Sequence, residues 1–184
     1  MSNSRIIIGI IGEKGSGKTT AAECILKNNP DFKEVAFATP LKKMAEILKF
    51  PFINVYGTQQ DKANIIPEYK TSFRQFAQCT SDSIKKLMGE DIFVKIAEQE
   101  LDKNNVVFSD VRYLNEASMI KKHRGYLIKI ERNIKKDKYS NHSSELELHE
   151  IKPDITIKNN VKLDEFKHIV SQVIKIQKAH HRIL

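Results

Sequence analysis

The sequence predicts an α/β fold in which a parallel five-stranded sheet lies between two layers of helices. Three observations predict it. Five short apolar runs rich in Ile and Val recur along the chain, and amphipathic segments with helical spacing separate them. The first run passes into a glycine-rich loop and then straight into a helical pattern. Such alternation gives parallel strands joined by helical crossovers, with the sheet covered on both faces.

The elements follow in order. Ile6–Ile11 is a β-branched run bounded by glycine and reads as a buried parallel strand. Lys18–Asn28 reads as a helix ending near Pro30, and Glu34–Phe37 as the second strand. Pro40 suits a helix start, and Leu41, Met44, Ala45 and Leu48 give that helix an apolar face. Phe50–Lys70 reads as irregular, broken by Pro51, Gly57 and Pro67. Thr71–Leu87 is expected to be a helix burying Phe73, Phe76, Ala77 and Ile84, and Glu90–Lys103 another helix. Val106–Phe108, Tyr126–Ile130 and Asp154–Lys158 supply the other three strands. Leu114–Lys122 and Leu163–Lys178 supply further helices. Asn133–Glu150 is polar and charged, and is expected to be a mobile lid over the ligand edge of the sheet.

The 184 residues favour one domain, or one domain with a small insertion, with a real core. No apolar run approaches the roughly 20 residues that span a bilayer, so no membrane partner is expected. Two cysteines, Cys24 and Cys79, make no disulfide framework and point to the reducing cytoplasm. The net charge of +8 would suit a nucleic-acid surface, but the basic residues are spread along the chain. Solvated lysine faces and a pocket for small phosphorylated ligands account for it better, and no stable nucleic-acid partner is expected. A homodimer is left open.

Gly12-Glu13-Lys14-Gly15-Ser16-Gly17-Lys18-Thr19 matches the pattern G-x-x-x-x-G-K-S/T, with a strand before it and a helix after it. The glycines let successive N–H groups turn toward phosphate oxygens, and the helix presents its dipole to the same anion. Lys18 should reach the β- and γ-phosphates of ATP, and the Thr19 hydroxyl should help hold Mg²⁺. The loop alone does not name a reaction. An Asn-Lys-x-Asp tetrad for guanine and a motor-type Asp-Glu strand end are both missing from the sequence. A second constellation lies at Asp110-Val111-Arg112-Tyr113-Leu114-Asn115-Glu116, after a buried strand, where open α/β sheets bind ligands. Arg112 offers a planar fork of donors suited to phosphate. Asp110 suits either Mg²⁺-bound water or an acceptor hydroxyl. A structural pair between Arg112 and the carboxylates of Asp110 and Glu116 is the alternative.

Further segments extend the pattern. They are Phe37-Ala38-Thr39-Pro40-Leu41-Lys42, Arg74–Gln78, Gly89-Glu90-Asp91-Ile92-Phe93-Val94, Arg132, His142-Ser143-Ser144-Glu145 and Asp154–Asn160. With the phosphate loop and Asp110–Glu116, in this order, they span nearly the whole chain. It resembles the deoxynucleoside monophosphate kinases of bacteriophages and large DNA viruses, a branch of the P-loop nucleoside monophosphate kinases. The resemblance implies one P-loop kinase domain over 1–184, with an acceptor-binding helical region at about 40–103 and a lid at about 132–150. It implies ATP and Mg²⁺ as cofactors and a deoxynucleoside monophosphate as substrate. ATP would meet Gly12, Lys14, Gly15, Ser16, Gly17, Lys18, Thr19, Thr20 and, at the adenine, Asn160. The acceptor would meet Lys42, Arg74, Gln78, Lys86, Asp110, Arg112, Glu116, His142 and Glu145. Lys18, Arg112 and Arg132 would act on the transferring phosphoryl group, and Thr19 and Asp110 (through water) on the metal. Three positions depart from the family pattern: Thr39 stands for aspartate, Phe93 for tryptophan, and Thr19 for an aspartate found in several members.

Phe73 and Phe76 are read as core rather than as base-stacking residues. Lys135, Lys136 and Lys138 are read evenly as a solvated loop or a triphosphate-facing part of the lid.

Overall fold

A computed structural model describes residues 5–101, 104–133 and 143–181, the last stretch with its side chains from residue 147 onward. In chain order the elements are β1 (Ile7–Ile11), α1 (Lys18–Asn28), β2 (Phe32–Val35), α2 (Thr39–Ile47), α3 (Phe52–Tyr56) and α4 (Gln59–Ala63). Next come β3 (Ile65–Ile66), β4 (Thr71–Ser72), α5 (Phe73–Met88), α6 (Ile92–Gln99), β5 (Asn105–Phe108) and α7 (Leu114–Lys122). The chain ends with β6 (Tyr126–Glu131), α8 (Ser143–Glu150), β7 (Ile155–Lys158) and α9 (Leu163–His181). It divides into two compact units, Met1–Ala36 with Ala97–Leu184, and Phe37–Ile96.

The first unit holds a five-stranded sheet in the order β2-β5-β1-β6-β7. Every neighbouring pair is parallel. This is a three-layer α/β/α sandwich, as expected from the sequence. Strand β1 is buried on both faces, as expected of a central parallel strand. Ile6, Ile8 and Ile10 join a core with Ala21, Ala22 and Ile25 of α1 and Phe166, Val170 and Ile174 of α9. The opposite face packs against α7. A Cβ on Gly9 would stand 2.6 Å from Ile120 Cδ1, 2.9 Å from Leu127 Cδ2 and 3.2 Å from Val111 Cγ2. A helix lies that close only because position 9 has no side chain. At the sheet edge away from the loops, Lys178 bonds Asn29 and Asp31, and Asn105 joins Asp31 to the Ile6 N–H. Partial burial raises the Asp31 carboxyl, but the bonds from Lys178 and Asn105 outweigh it and leave it below the ordinary value.

The second unit has its own core of Ala45, Phe50, Val55, Ile66 and Phe73, with Phe76 and Ala77 packed against it. The Phe50 and Phe76 ring centroids are 5.0 Å apart, so the helix-spaced aromatics build the core of this unit. Three expectations shift. The second strand ends at Val35 because its last partner is Phe108, the final residue of β5. The stretch read as irregular carries α3, α4 and β3, which pairs with β4 just beyond it. Helix α4 is set by a local cap, in which Thr58 and Asp61 exchange hydrogen bonds, rather than by apolar periodicity. Finally, Ser72 is the N-cap of α5 and accepts the Gln75 N–H, so Thr71 and Ser72 lie outside that helix. Of the proposed lid, residues 134–142 lie outside the described residues, while 143–150 form α8.

The packing at Gly9 gives a direct test. Gly9→Val should lower unfolding stability by about 1–3 kcal/mol through overpacking against Ile120, Leu127 and Val111. Urea denaturation should show a lower midpoint with an unchanged slope, and an unchanged midpoint would contradict the close approach of α7.

Candidate active site

The phosphate loop follows β1 at the carboxyl edge of the sheet. Gly12, Gly15 and Gly17 take φ of 150°, 79° and 108°. Gly17 is the N-cap of α1, and a Cβ there would collide with the Asn159 side-chain nitrogen, so both its conformation and its surroundings demand glycine. No side chain caps α1. The Ala21 N–H bonds the Gly17 carbonyl at 2.9 Å, which leaves the N–H groups of Lys18, Thr19 and Thr20 without an intrahelical acceptor. The helix dipole at this end favours an anion. Lys18 bends back over the loop, its Nζ donating to the carbonyls of Gly12 (2.6 Å) and Glu13 (2.8 Å). Lys14, Gly15 and Thr19 are exposed and Thr20 is half-buried. Ser16 is only 1% exposed, and its Oγ has no hydrogen-bond partner among the described residues. Its carbonyl accepts from Asn159 Nδ2 at 2.7 Å, and the Asn159 N–H bonds the Glu131 carbonyl at 2.6 Å. Buried Asn159 thus ties the back of the loop to the ends of β6 and β7. Asn160 is exposed, and its Oδ1 accepts the Asn133 N–H at 2.9 Å.

Strand β5 lies beside β1, with Gly9 opposite Phe108. The turn after β5 therefore emerges at the same edge as the phosphate loop. Asp110 is half-buried there, and Val111, fully buried, anchors the turn. The Arg112 side chain is exposed and makes no hydrogen bond or ion pair among the described residues. Glu116 is 5% exposed, and its Oε2 accepts the N–H groups of Arg112 (2.7 Å) and Tyr113 (3.1 Å). This carboxylate holds the backbone of the turn while the guanidinium stands outside it. On the other side of β1, strand β6 pairs Lys129 with Ile11, and Arg132 follows its end, exposed and without a partner among the described residues.

The remaining residues named from the sequence lie elsewhere. Lys42, Arg74, Gln78 and Lys86 belong to the second unit. Lys42 Nζ sits 5.4 Å from the Tyr56 ring centroid. Tyr56 donates to Glu46 at 2.6 Å, and that bond, with some burial, pushes its hydroxyl up to about 12. Arg74 Nη2 donates to the carbonyl (3.0 Å) and Oε1 (2.9 Å) of Gln59, and its Nε is buried with no partner among the described residues. Gln78 and Lys86 are exposed on α5. His142 lies outside the described residues, and of Glu145 only its place on α8 is described. Two residues escaped the sequence reading. Gln59 sits in a stretch without periodicity, and Glu147 of α8 accepts the Leu114 N–H at 3.1 Å. Neither has a motif that announces it.

A central parallel strand, a glycine loop and an uncapped helix start, flanked by two uncommitted arginines, define a P-loop kinase. The chain is 35% identical over 195 aligned residues to a protein of Acanthamoeba polyphaga mimivirus named "Putative deoxynucleotide monophosphate kinase", covering 92% of this chain and 94% of that one. It belongs to that family, the deoxynucleoside monophosphate kinases of bacteriophages and large DNA viruses, and is a nucleotide kinase. No family model matches it. Among solved structures it is similar in fold to TT1252 from Thermus thermophilus, with a TM-score of 0.50, 17% identity, and 93% and 97% of the two chains covered. It also aligns with dephospho-CoA kinase from Campylobacter jejuni, with a TM-score of 0.49, 18% identity, and 98% and 100% covered. Among the described residues no helix is long and apolar enough to cross a membrane.

Asn159→Ala would leave the Ser16 carbonyl without its buried donor. The expected result is a loss of about 1–2 kcal/mol of stability and weaker triphosphate binding. Calorimetric titration of ATP into the folded variant checks this, and wild-type affinity would show the latch to be dispensable.

Proposed function

We propose that this protein transfers the γ-phosphoryl group of ATP to a deoxynucleoside 5′-monophosphate, giving ADP and a deoxynucleoside diphosphate. One observation carries the reading. The exposed guanidinium of Arg112, bound to neither neighbouring carboxylate, lies on the strand end adjacent to the phosphate loop. A structural Arg–carboxylate pair at this turn would have consumed it. The family name of the mimivirus relative supports the acceptor class.

In this reading the N–H groups of the loop and α1 bind the triphosphate, with contacts from Lys14, Gly15, Ser16, Gly17 and Thr20. Lys18 exchanges its two carbonyl bonds for β- and γ-phosphate oxygens. The exposed Thr19 hydroxyl at the helix start is a hard oxygen donor and fits Mg²⁺, with Asp110 acting through water. When bound, Mg²⁺ neutralises charge on the triphosphate oxygens. Arg112 grips the acceptor phosphate bidentately, a geometry lysine cannot reproduce. Arg74, oriented by Gln59, with Gln78, Lys42 and Lys86 of the second unit, would meet the rest of the acceptor nucleotide. Arg132 neutralises charge on the transferring group as the lid segment around His142 and Glu145 closes and excludes water. No strong general base is needed, because the acceptor phosphate is already an anionic nucleophile. Asn160 would border the adenine. We place the activity in the cytoplasm, that of the host if the source is a virus.

Two variants test the reading. Lys18→Ala should abolish transfer while leaving the fold intact, since it removes a charge aimed at the developing negative oxygens. Wild-type turnover in that variant would sink the donor assignment. Arg112→Lys, and more so Arg112→Ala, should cut acceptor use by about 100-fold or more and spare ATP affinity. Separate titrations of ATP and of each deoxynucleoside and ribonucleoside monophosphate decide it. Normal acceptor affinity in Arg112→Ala would remove Asp110–Glu116 from the active site.

A further inference from the structure

We infer that Glu147 of α8 is a positioning residue for the acceptor-binding turn; the inference rests on the reading of Arg112 as the acceptor-phosphate ligand. Three consecutive backbone donors, those of Arg112, Tyr113 and Leu114, form the entry to α7. Glu116, three positions into its own helix, takes the first two at 2.7 and 3.1 Å. The third goes to Glu147 Oε2 at 3.1 Å, from a residue 33 positions further along the chain. A helix start needs acceptors for its orphan N–H groups, and a carboxylate there is favoured by the dipole as well. Glu116 is a local device that any capped helix could use. Glu147 is not local, and it makes the turn dependent on where α8 sits.

The seat of α8 is fixed by its neighbours. Leu148, next to Glu147, is 4% exposed, and Ile151, just past the helix end, is 5% exposed. His149, two positions after Glu147, has its Nε2 3.9 Å from Glu13 Oε1 on the phosphate loop. One short helix therefore touches the wall of the donor loop and the turn of the acceptor arginine. The Arg112 side chain springs from that turn with no partner among the described residues to orient it. Its aim is set by its backbone, and the backbone is set by Glu116 and Glu147. Small misplacements of a phosphate-binding group cost large factors in binding and rate, so loss of Glu147 should be read out on the acceptor.

The experiment is steady-state kinetics on the full chain as wild type, Glu147→Ala and Glu147→Gln, varying ATP and a deoxynucleoside monophosphate separately, with thermal melts of each. Glu147→Ala should raise KM for the monophosphate by about fivefold or more, as for a lost hydrogen bond to a charged group, with KM for ATP within about twofold. Glu147→Gln keeps an acceptor oxygen and should restore most of the wild-type value. A purely structural role predicts a lower melting temperature with both KM values unchanged or raised alike, and that result overturns the inference. So does a glutamine variant as defective as the alanine one. If Glu147→Ala fails to fold, hydrogen exchange of the wild-type Leu114 amide decides: slowing on addition of the monophosphate alone supports the inference, and no change overturns it. Wild-type protein that phosphorylates no deoxynucleoside monophosphate would overturn the catalytic reading itself, whereas active wild type with an unaltered acceptor KM in Glu147→Ala removes Glu147 alone.

Discussion

The hydrogen bond from Asn159 Nδ2 to the Ser16 carbonyl is the contact on which the rest of the site depends. A phosphate loop must keep several backbone N–H groups unpaired and aimed at one point. Buried unpaired donors are costly, and a loop left to itself would fold inward to satisfy them. Asn159 resists this by binding the loop from behind through a carbonyl rather than through the donors. The demand runs outward from there. Gly17 must lack a Cβ because the Asn159 amide occupies that space. Asn159 must itself be fixed, and its N–H on the Glu131 carbonyl fixes it to the sheet. The parallel register of β1, β6 and β7 then sets where the loop stands.

The turn after β5 applies the opposite solution. Here the Arg112, Tyr113 and Leu114 donors are satisfied, by Glu116 and Glu147, and it is the Arg112 side chain that has no partner among the described residues. The two arrangements suit the ligands proposed for them. A triphosphate presents many oxygens along a chain and is matched by a row of amides. A terminal phosphate presents a compact dianion and is matched by one planar fork. Because β1 and β5 are neighbours in a parallel sheet, the two devices open at the same edge without any further element to bring them together.

Much of this was legible in the sequence, for identifiable reasons. Ile6–Ile11 announced itself because a central parallel strand is apolar on both faces, and Lys18–Asn28 because the loop pattern fixes where its helix starts. Tyr126 and Leu163 were equally plain as element starts. What was not legible is non-local. The second strand was placed two residues late because Ala36 and Phe37 are as buried as Val35, and only the end of β5 says where pairing stops. Residues 50–70 hid α3 and α4, whose stability comes from caps and from the aromatic core around Phe50 rather than from periodicity. Lys18, Asp110 and Arg112, picked out by motif, lie after the neighbouring strands β1 and β5 at one edge of the sheet. Gln59 and Glu147 were not picked out, because a residue that orients another is defined by a distance that spacing along the chain does not encode.

The position of Lys18 shows how little the loop must change to work. In the protein alone its ammonium lies on the carbonyls of Gly12 and Glu13, within its own loop. Those bonds neutralise the dipoles of two carbonyls that would otherwise repel an incoming anion. They also keep the charge at the loop, where phosphate oxygens can compete for it. Neutral carbonyls are weaker partners for an ammonium than phosphate oxygens, which add the attraction of a full negative charge. In the proposed reading the exchange is therefore downhill without a large rearrangement. The Glu13 side chain is turned toward His149, 3.9 Å away. The loop holds its lysine with contacts strong enough to order it and weak enough to release it.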